Sequence, residues 1–157
     1  MESFQNIIVA TDFSAPAELA ARAALTIEGG EGARVTLLHV VNTPALDPGS
    51  VEQRAIIAQE LETAVHGHLD RVRDSFLQDM NDVKTAIIRS NDAADAICVF
   101  ASDHGADLIL MGTTGRTGIA RFLIGSVAER VVRTTRRLRA GRGLGTAALT
   151  RRATIRS

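Results

Sequence analysis

The sequence predicts an α/β protein built on a parallel sheet. Two observations carry that expectation. Apolar, β-branched runs of strand length recur without polar alternation, as in strands buried on both faces. They alternate with segments of helical periodicity in the order β-α-β-α-β-α-β-α, which right-handed crossovers turn into a parallel sheet.

Each element has its own signal. Asn6-Ile7-Ile8-Val9-Ala10 reads as the first strand, broken by Thr11-Asp12-Phe13-Ser14. Ser14 can cap the next helix, Pro16 sits where a missing N–H costs little, and Gly29-Gly30 stops it. Val35 to Val41 is the second strand, which completes a unit of βαβ size. Pro44 and Pro48 mark a loop, and a long helix follows from about Ser50 to Met80. Ile56, Ile57, Leu61, Ala64, Val65, Leu69, Val72, Phe76 and Leu77 form its stripe, and Gly67 is a candidate interruption. Val83 to Ile88 is the third strand. Asp92 caps a third helix that carries Ala96, Ile97, Val99 and Phe100 and stops at Gly105. Leu108-Ile109-Leu110-Met111 is a short fourth strand, followed by a Gly/Thr-rich loop to Gly125 and a helix from Ser126. No internal repeat is visible.

Composition narrows the function classes. The chain of 157 residues is one domain's worth, and its apolar share of 45% suits a folded core rather than disorder. Aromatics are 3%, with no Trp or Tyr, so the core must be aliphatic and a base-stacking nucleic-acid surface is not expected. One cysteine excludes a disulfide framework and a CxxC site. No apolar run approaches the ~20 residues that span a bilayer, and the start is not signal-like, so a cytoplasmic protein without a membrane partner is expected.

The net charge of zero hides an asymmetry. Residues 1–132 hold ten basic residues against all eighteen acidic ones, and residues 133–157 hold the other eight basic residues and no acid. The expected organisation is therefore a domain over residues 1–137 and a basic, flexible tail over 138–157. Only Leu144 to Leu149 is weakly apolar there. With no recognition motif beside it, this tail reads as a solvated segment rather than a nucleic-acid arm.

The chemistry-bearing stretch runs from Met111 to Arg130. A loop after a buried strand lies at the carboxyl edge of the sheet, where open α/β folds bind ligands. Gly112, Gly115 and Gly118 let main-chain N–H groups converge on an anion. Gly125-Ser126 opens a helix whose free amides and positive dipole end favour phosphate, with Arg116 and Arg121 nearby. The same residues also fit plain turn chemistry, and Ser126-Val127-Ala128-Glu129 is equally a capping box. The loop is neither a Walker A sequence nor GxGxxG. Among isolated candidates, His66 and His68 point to different faces and make a poor metal pair. His39 reads as a hydrogen-bonded core residue, His104 as a helix terminator, and Cys98 as a buried thiol.

Over about residues 4–133 the chain resembles the universal stress protein family. The resemblance rests on Ile7 to Ser14, Leu38-His39-Val40-Val41, Asp107 to Gly112, and above all on Gly112-x-x-Gly115, nine residues, then Gly125-Ser126-Val127-Ala128-Glu129-Arg130-Val131. It implies a doubly wound, mostly parallel Rossmann-like sheet of the adenine nucleotide alpha hydrolase-like kind. Four strands are accounted for, and the fifth is in question. It also implies binding of ATP or a related adenine nucleotide with Mg²⁺ or Mn²⁺. By position, Asp12 would face the ribose or adenine, with Ala10 and Thr11 beside it. Val40 or Val41 would offer backbone groups to the adenine edge. Gly112, Gly115, Gly125 and Ser126 would hold ribose and phosphates, with Met111, Arg116 and Val127 close by. The chain departs from the family after Arg133. The usual Pro-containing apolar strand, which pairs with its copy in a homodimer, is replaced by arginine-rich text, and that dimer mode is in question. The implied role is a nucleotide-dependent regulator or sensor in the stress response. A slow ATP hydrolase or phosphoryl-transfer enzyme is one alternative, with Arg116 and Arg121 as a charge clamp but no evident base. A non-nucleotide interaction module is another.

Overall fold

The computed structural model describes residues 4–27, 33–42, 51–113, 125–139 and 147–150; within these, the side chains of 51–53, 136–139 and 147–150 are not described. Among the described residues, five parallel strands form one sheet: β1 (Asn6–Ala10), β2 (Arg34–Asn42), β3 (Asp82–Ser90), β4 (Leu108–Gly112) and β5 (Ala147–Thr150). Their order across the sheet is β3-β2-β1-β4-β5. The chain winds outward from β1 to β3, returns to β4 on the other side of β1, and continues to β5. The crevice between β1 and β4 is thus the point where the winding reverses.

Four helices among the described residues cover the sheet: α1 (Ala15–Thr26), α2 (Val51–Phe76), α3 (Ala93–Asp103) and α4 (Ser126–Arg139). Period-two alternation within each strand decides which face a side chain joins. Ile7, Val9, Val35, Leu37, Val41, Leu108 and Leu110 pack with α1 and α2. Ile8, Ala10, Leu38, Ile109 and Met111 pack with α3 and α4. Every large, fully buried side chain is aliphatic, as the composition requires. Asp107 ties the start of β1 to β4 by accepting the main-chain N–H groups of Gln5 (2.7 Å) and Asn6 (3.1 Å).

Three sequence expectations are modified. The α2 stripe divides in two: Val65, Leu69 and Val72 are buried, whereas Ile56, Ile57 and Leu61 are exposed. At 26 residues α2 is about 39 Å long. The nine-residue strands beneath it span only about 30 Å. Part of the helix therefore has no sheet to cover. Gly67 does not interrupt α2, and a Cβ there would meet nothing within 4 Å. The tail expected over 138–157 supplies β5, which pairs with β4 from Ile109↔Ala147 to Gly112↔Thr150. That strand overlaps the one weakly apolar stretch of the tail, and it occupies a β4 edge that would otherwise expose unpaired main-chain groups.

Helix ends follow local rules. The Ser14 side chain accepts from Ala17 N at the start of α1, and α1 ends at Thr26, short of Gly29-Gly30, which lie outside the described residues. Asp92 caps α3 by accepting the Asp95 N–H at 3.1 Å. Gly105, with φ of +60°, stops that helix in the left-handed conformation only glycine takes cheaply.

Candidate functional site

β1 is shorter than its neighbour. Ala10 pairs with Leu38, yet β2 runs on to Asn42. Beyond Ala10 the chain turns away through Thr11–Ser14, leaving a gap at the carboxyl edge beside β4. A cavity of about 250 Å³ occupies it. Leu38, Val40, Ile97 and Met111 supply an apolar surface; Thr11, Asp12, Thr113 and Ser126 supply polar groups. Few polar groups set in an apolar concavity is the ordinary make-up of a small-molecule site.

The turn that delivers Asp12 is tightly held. Asp12 Oδ1 accepts from both Ser14 N (3.1 Å) and Ser14 Oγ (2.5 Å), an Asx-type arrangement. Thr11 Oγ1 accepts from Phe13 N at 3.0 Å. Phe13 has φ of +63°, a conformation costly for a bulky residue and one that recurs where a fold over-determines a functional turn.

Three helices begin at this cavity, and they differ in one respect. The first turn of α1 meets the Ser14 side chain, and that of α3 meets the Asp92 carboxylate. For α4, the Glu129 N–H bonds the Gly125 carbonyl at 2.9 Å and begins the intrahelical ladder. Ser126, Val127 and Ala128, whose amides precede that ladder, all line the cavity. The capping-box expectation for Ser126 and Glu129 is not realised in its reciprocal form. The Glu129 carboxylate is instead engaged by Arg133. Amides at the positive end of a helix dipole favour a nearby anion.

Gly112 has a reason that the sequence concealed. It does not adopt a positive φ; a Cβ there would come within 2.9 Å of the Pro16 backbone carbon and 3.0 Å of Ala17 N. Glycine is required because the first turn of α1 lies against the end of β4. Gly125 N–H donates to the Thr113 carbonyl at 2.6 Å, which ties the start of α4 to the end of β4.

Of the residues expected at the site, the structure brings Ala10, Thr11, Asp12, Val40, Met111, Gly112, Gly125, Ser126 and Val127 to the cavity. Val41 is buried in the core on the opposite face of the sheet, because adjacent strand residues point oppositely. Gly115, Arg116 and Arg121 lie outside the described residues. Sequence reasoning missed Ala17, Leu38, Ala93, Ile97, Thr113 and Ala128. Leu38 was discoverable, since it shares the parity of Val40; Ala93 and Ile97 carried no local signal.

The isolated candidates resolve simply. His39 is half-buried and donates from Nδ1 to the Thr11 carbonyl at 2.7 Å. His104 ends α3 with Nδ1 on the Phe100 carbonyl (2.8 Å). Burial pushes the Cys98 thiol up, away from the reactive thiolate. Among the described residues no cluster of three His, Cys, Asp or Glu side chains could hold a metal ion.

Fold and cavity together define a small α/β domain of the doubly wound class with a cavity at the point where the winding reverses. The universal stress protein family model matches residues 3–136, and the chain belongs to that family. It is 32% identical over 131 residues to the universal stress protein MJ0531 of Methanocaldococcus jannaschii, covering 83% of this chain and 76% of that protein. The universal stress protein UspA from Lactobacillus plantarum shares the fold, with a TM-score of 0.73, 24% identity, and coverage of 95% of this chain and 99% of that one. So does a universal stress protein solved in complex with cAMP, with a TM-score of 0.61, 19% identity, and coverage of 95% and 98%.

Proposed function

We propose that this protein binds an adenine nucleotide, ATP foremost, and acts as a nucleotide-dependent regulator in the stress response. The observation that carries this reading is the pairing, in one cavity, of an apolar recess with a helix start that no side chain among the described residues caps. The surface formed by Leu38, Val40, Ile97 and Met111 suits a flat base, and the α4 amides of Ser126, Val127 and Ala128 suit phosphate. Asp12, at the turn beside the recess, would accept from a ribose hydroxyl. The solved cAMP complex of a fold relative supports an adenine nucleotide as the ligand class.

A divalent cation, Mg²⁺ or Mn²⁺, belongs to this reading as a companion of the nucleotide. Without a protein cluster to hold it among the described residues, the ion would take its ligands mainly from phosphate oxygens, the usual habit of Mg²⁺. When bound, it neutralises phosphate charge. Regulation follows from linkage: a ligand that prefers one shape or partner state shifts the population toward it. A cytoplasmic homodimer completes the proposal; no helix among the described residues is long and apolar enough to cross a membrane.

The test is direct. Mass spectrometry of the supernatant from freshly purified, denatured protein should reveal an adenine nucleotide, and calorimetry of the stripped protein should give saturable ATP binding. A protein that carries no nucleotide and shows no heat with millimolar ATP, AMP or cAMP, with and without Mg²⁺, overturns the reading.

A further inference from the structure

The end of β1 shows an exchange of hydrogen-bond partners. Thr11 N–H donates to the Leu38 carbonyl at 2.9 Å, the last main-chain bond between β1 and β2. In a regular parallel ladder the Thr11 carbonyl would next accept the Val40 N–H, since the polar groups of Leu38 and Val40 face the same neighbour. Instead that carbonyl receives the His39 side chain at 2.7 Å, and no main-chain bond joins Val40 to Thr11 among the described residues. A carbonyl only accepts, so His39 Nδ1 carries the hydrogen.

The histidine ring is itself fixed. It stacks on Phe13 with centroids 4.4 Å apart, and the Phe13 ring also meets that of His68 of α2, at 4.9 Å. Phe13 adopts its left-handed φ of +63° within this stack. His39 lies on the sheet face opposite the cavity, whereas Val40 and Asp12 line it.

We propose that His39 is a positioning residue for ligand binding. Its Nδ1–H satisfies the Thr11 carbonyl, one residue past β1, from behind the sheet, which leaves the main-chain N–H of Val40 directed into the cavity as a donor for the edge of the base. The proposal rests on the adenine-nucleotide reading for what the donor recognises, but not for the partner exchange itself. A freed Thr11 carbonyl would compete with the ligand for Val40 N–H.

Amide hydrogen exchange by NMR on the ligand-free protein tests the exchange of partners, and binding of AMP against ribose 5-phosphate tests its use. In the wild type the Val40 amide should exchange much faster than that of Leu38. His39→Leu should slow Val40 exchange and weaken AMP binding by about tenfold, the loss of one hydrogen bond, while ribose 5-phosphate affinity is kept. His39→Asn, whose amide N–H falls near the Nδ1 position, should restore both; His39→Gln, whose amide lies near Nε2, should not. A protected Val40 amide in the wild type, or equal losses for AMP and ribose 5-phosphate in a folded His39 variant, overturns the proposal. If no nucleotide binds at all the functional reading fails, and the exchange rates still decide the role of His39.

Discussion

Arg130 of α4 donates to Asp92, the N-cap of α3, at 2.7 Å, so one carboxylate holds two of the three helices that begin at the cavity. Oδ2 takes the guanidinium and Oδ1 takes the Asp95 N–H. The Arg130 hydrogen bond first, and the Asp95 N–H second, hold the Asp92 carboxyl below its ordinary 3.8. The carboxylate also occupies the start of α3, as the Ser14 side chain occupies that of α1, whereas no side chain among the described residues caps α4.

The sign of the pH dependence follows. A depressed folded-state value means that the contribution of Asp92 is complete above the ordinary carboxyl range and drains away as pH falls through the depressed one. Asp92→Asn keeps a capping acceptor and removes the ion pair. Its Tm should lie slightly below that of the wild type at pH 7, and the gap should close toward pH 2.5. A constant gap across that range would refute the assignment. Both side chains are substantially exposed, so the effect should also shrink in high salt.

Ser126→Asp separates stability from binding. A carboxylate at the first turn of α4 favours the helix dipole by about 0.3–1 kcal/mol, so thermal stability should hold or rise. The same charge repels phosphate, and ATP affinity should drop at least about tenfold. Unchanged ATP affinity by calorimetry would remove α4 from the site.

Gly112→Ala should destabilise through overpacking. The new Cβ meets the backbone of Pro16 and Ala17, which cannot swing aside as a side-chain tip would. A loss of about 1–3 kcal/mol in urea unfolding is expected, together with weaker ATP binding as α1 moves off β4. Wild-type stability would mean that α1 does not rest against this glycine.

Ending the chain after Arg139 removes β5 and bares the β4 edge. Lower Tm and concentration-dependent association by light scattering are expected, since an open edge of buried-type strand is a template for pairing. A truncated protein as stable and monodisperse as the full chain would show that β5 adds nothing to the sheet.

Local chemistry was readable in the chain. Ile7 to Ala10 and Leu108 to Met111 could only be doubly buried strands, Ser14 and Asp92 announced their helices, and Gly105 announced an ending. These signals depend on residues within a few positions of one another, where period and capping act. The Gly112 to Ser126 spacing pointed, for the same reason, to the edge of the sheet where the cavity lies.

What depended on distant pairing stayed hidden. Val40 and Val41 look alike until the register of β2 against β1 sends one to the cavity and the other into the opposite core. Ala93 and Ile97 join the cavity because α3 crosses the sheet there, and Gly112 is required because of Pro16, nearly a hundred residues earlier. The arginine-rich ending gave little sign of β5, because a four-residue strand gains its order from the waiting edge of β4 more than from its own side chains. Element identity is a short-range property of the chain, whereas a site at a sheet's switch point exists only once strand order and register have set the elements side by side.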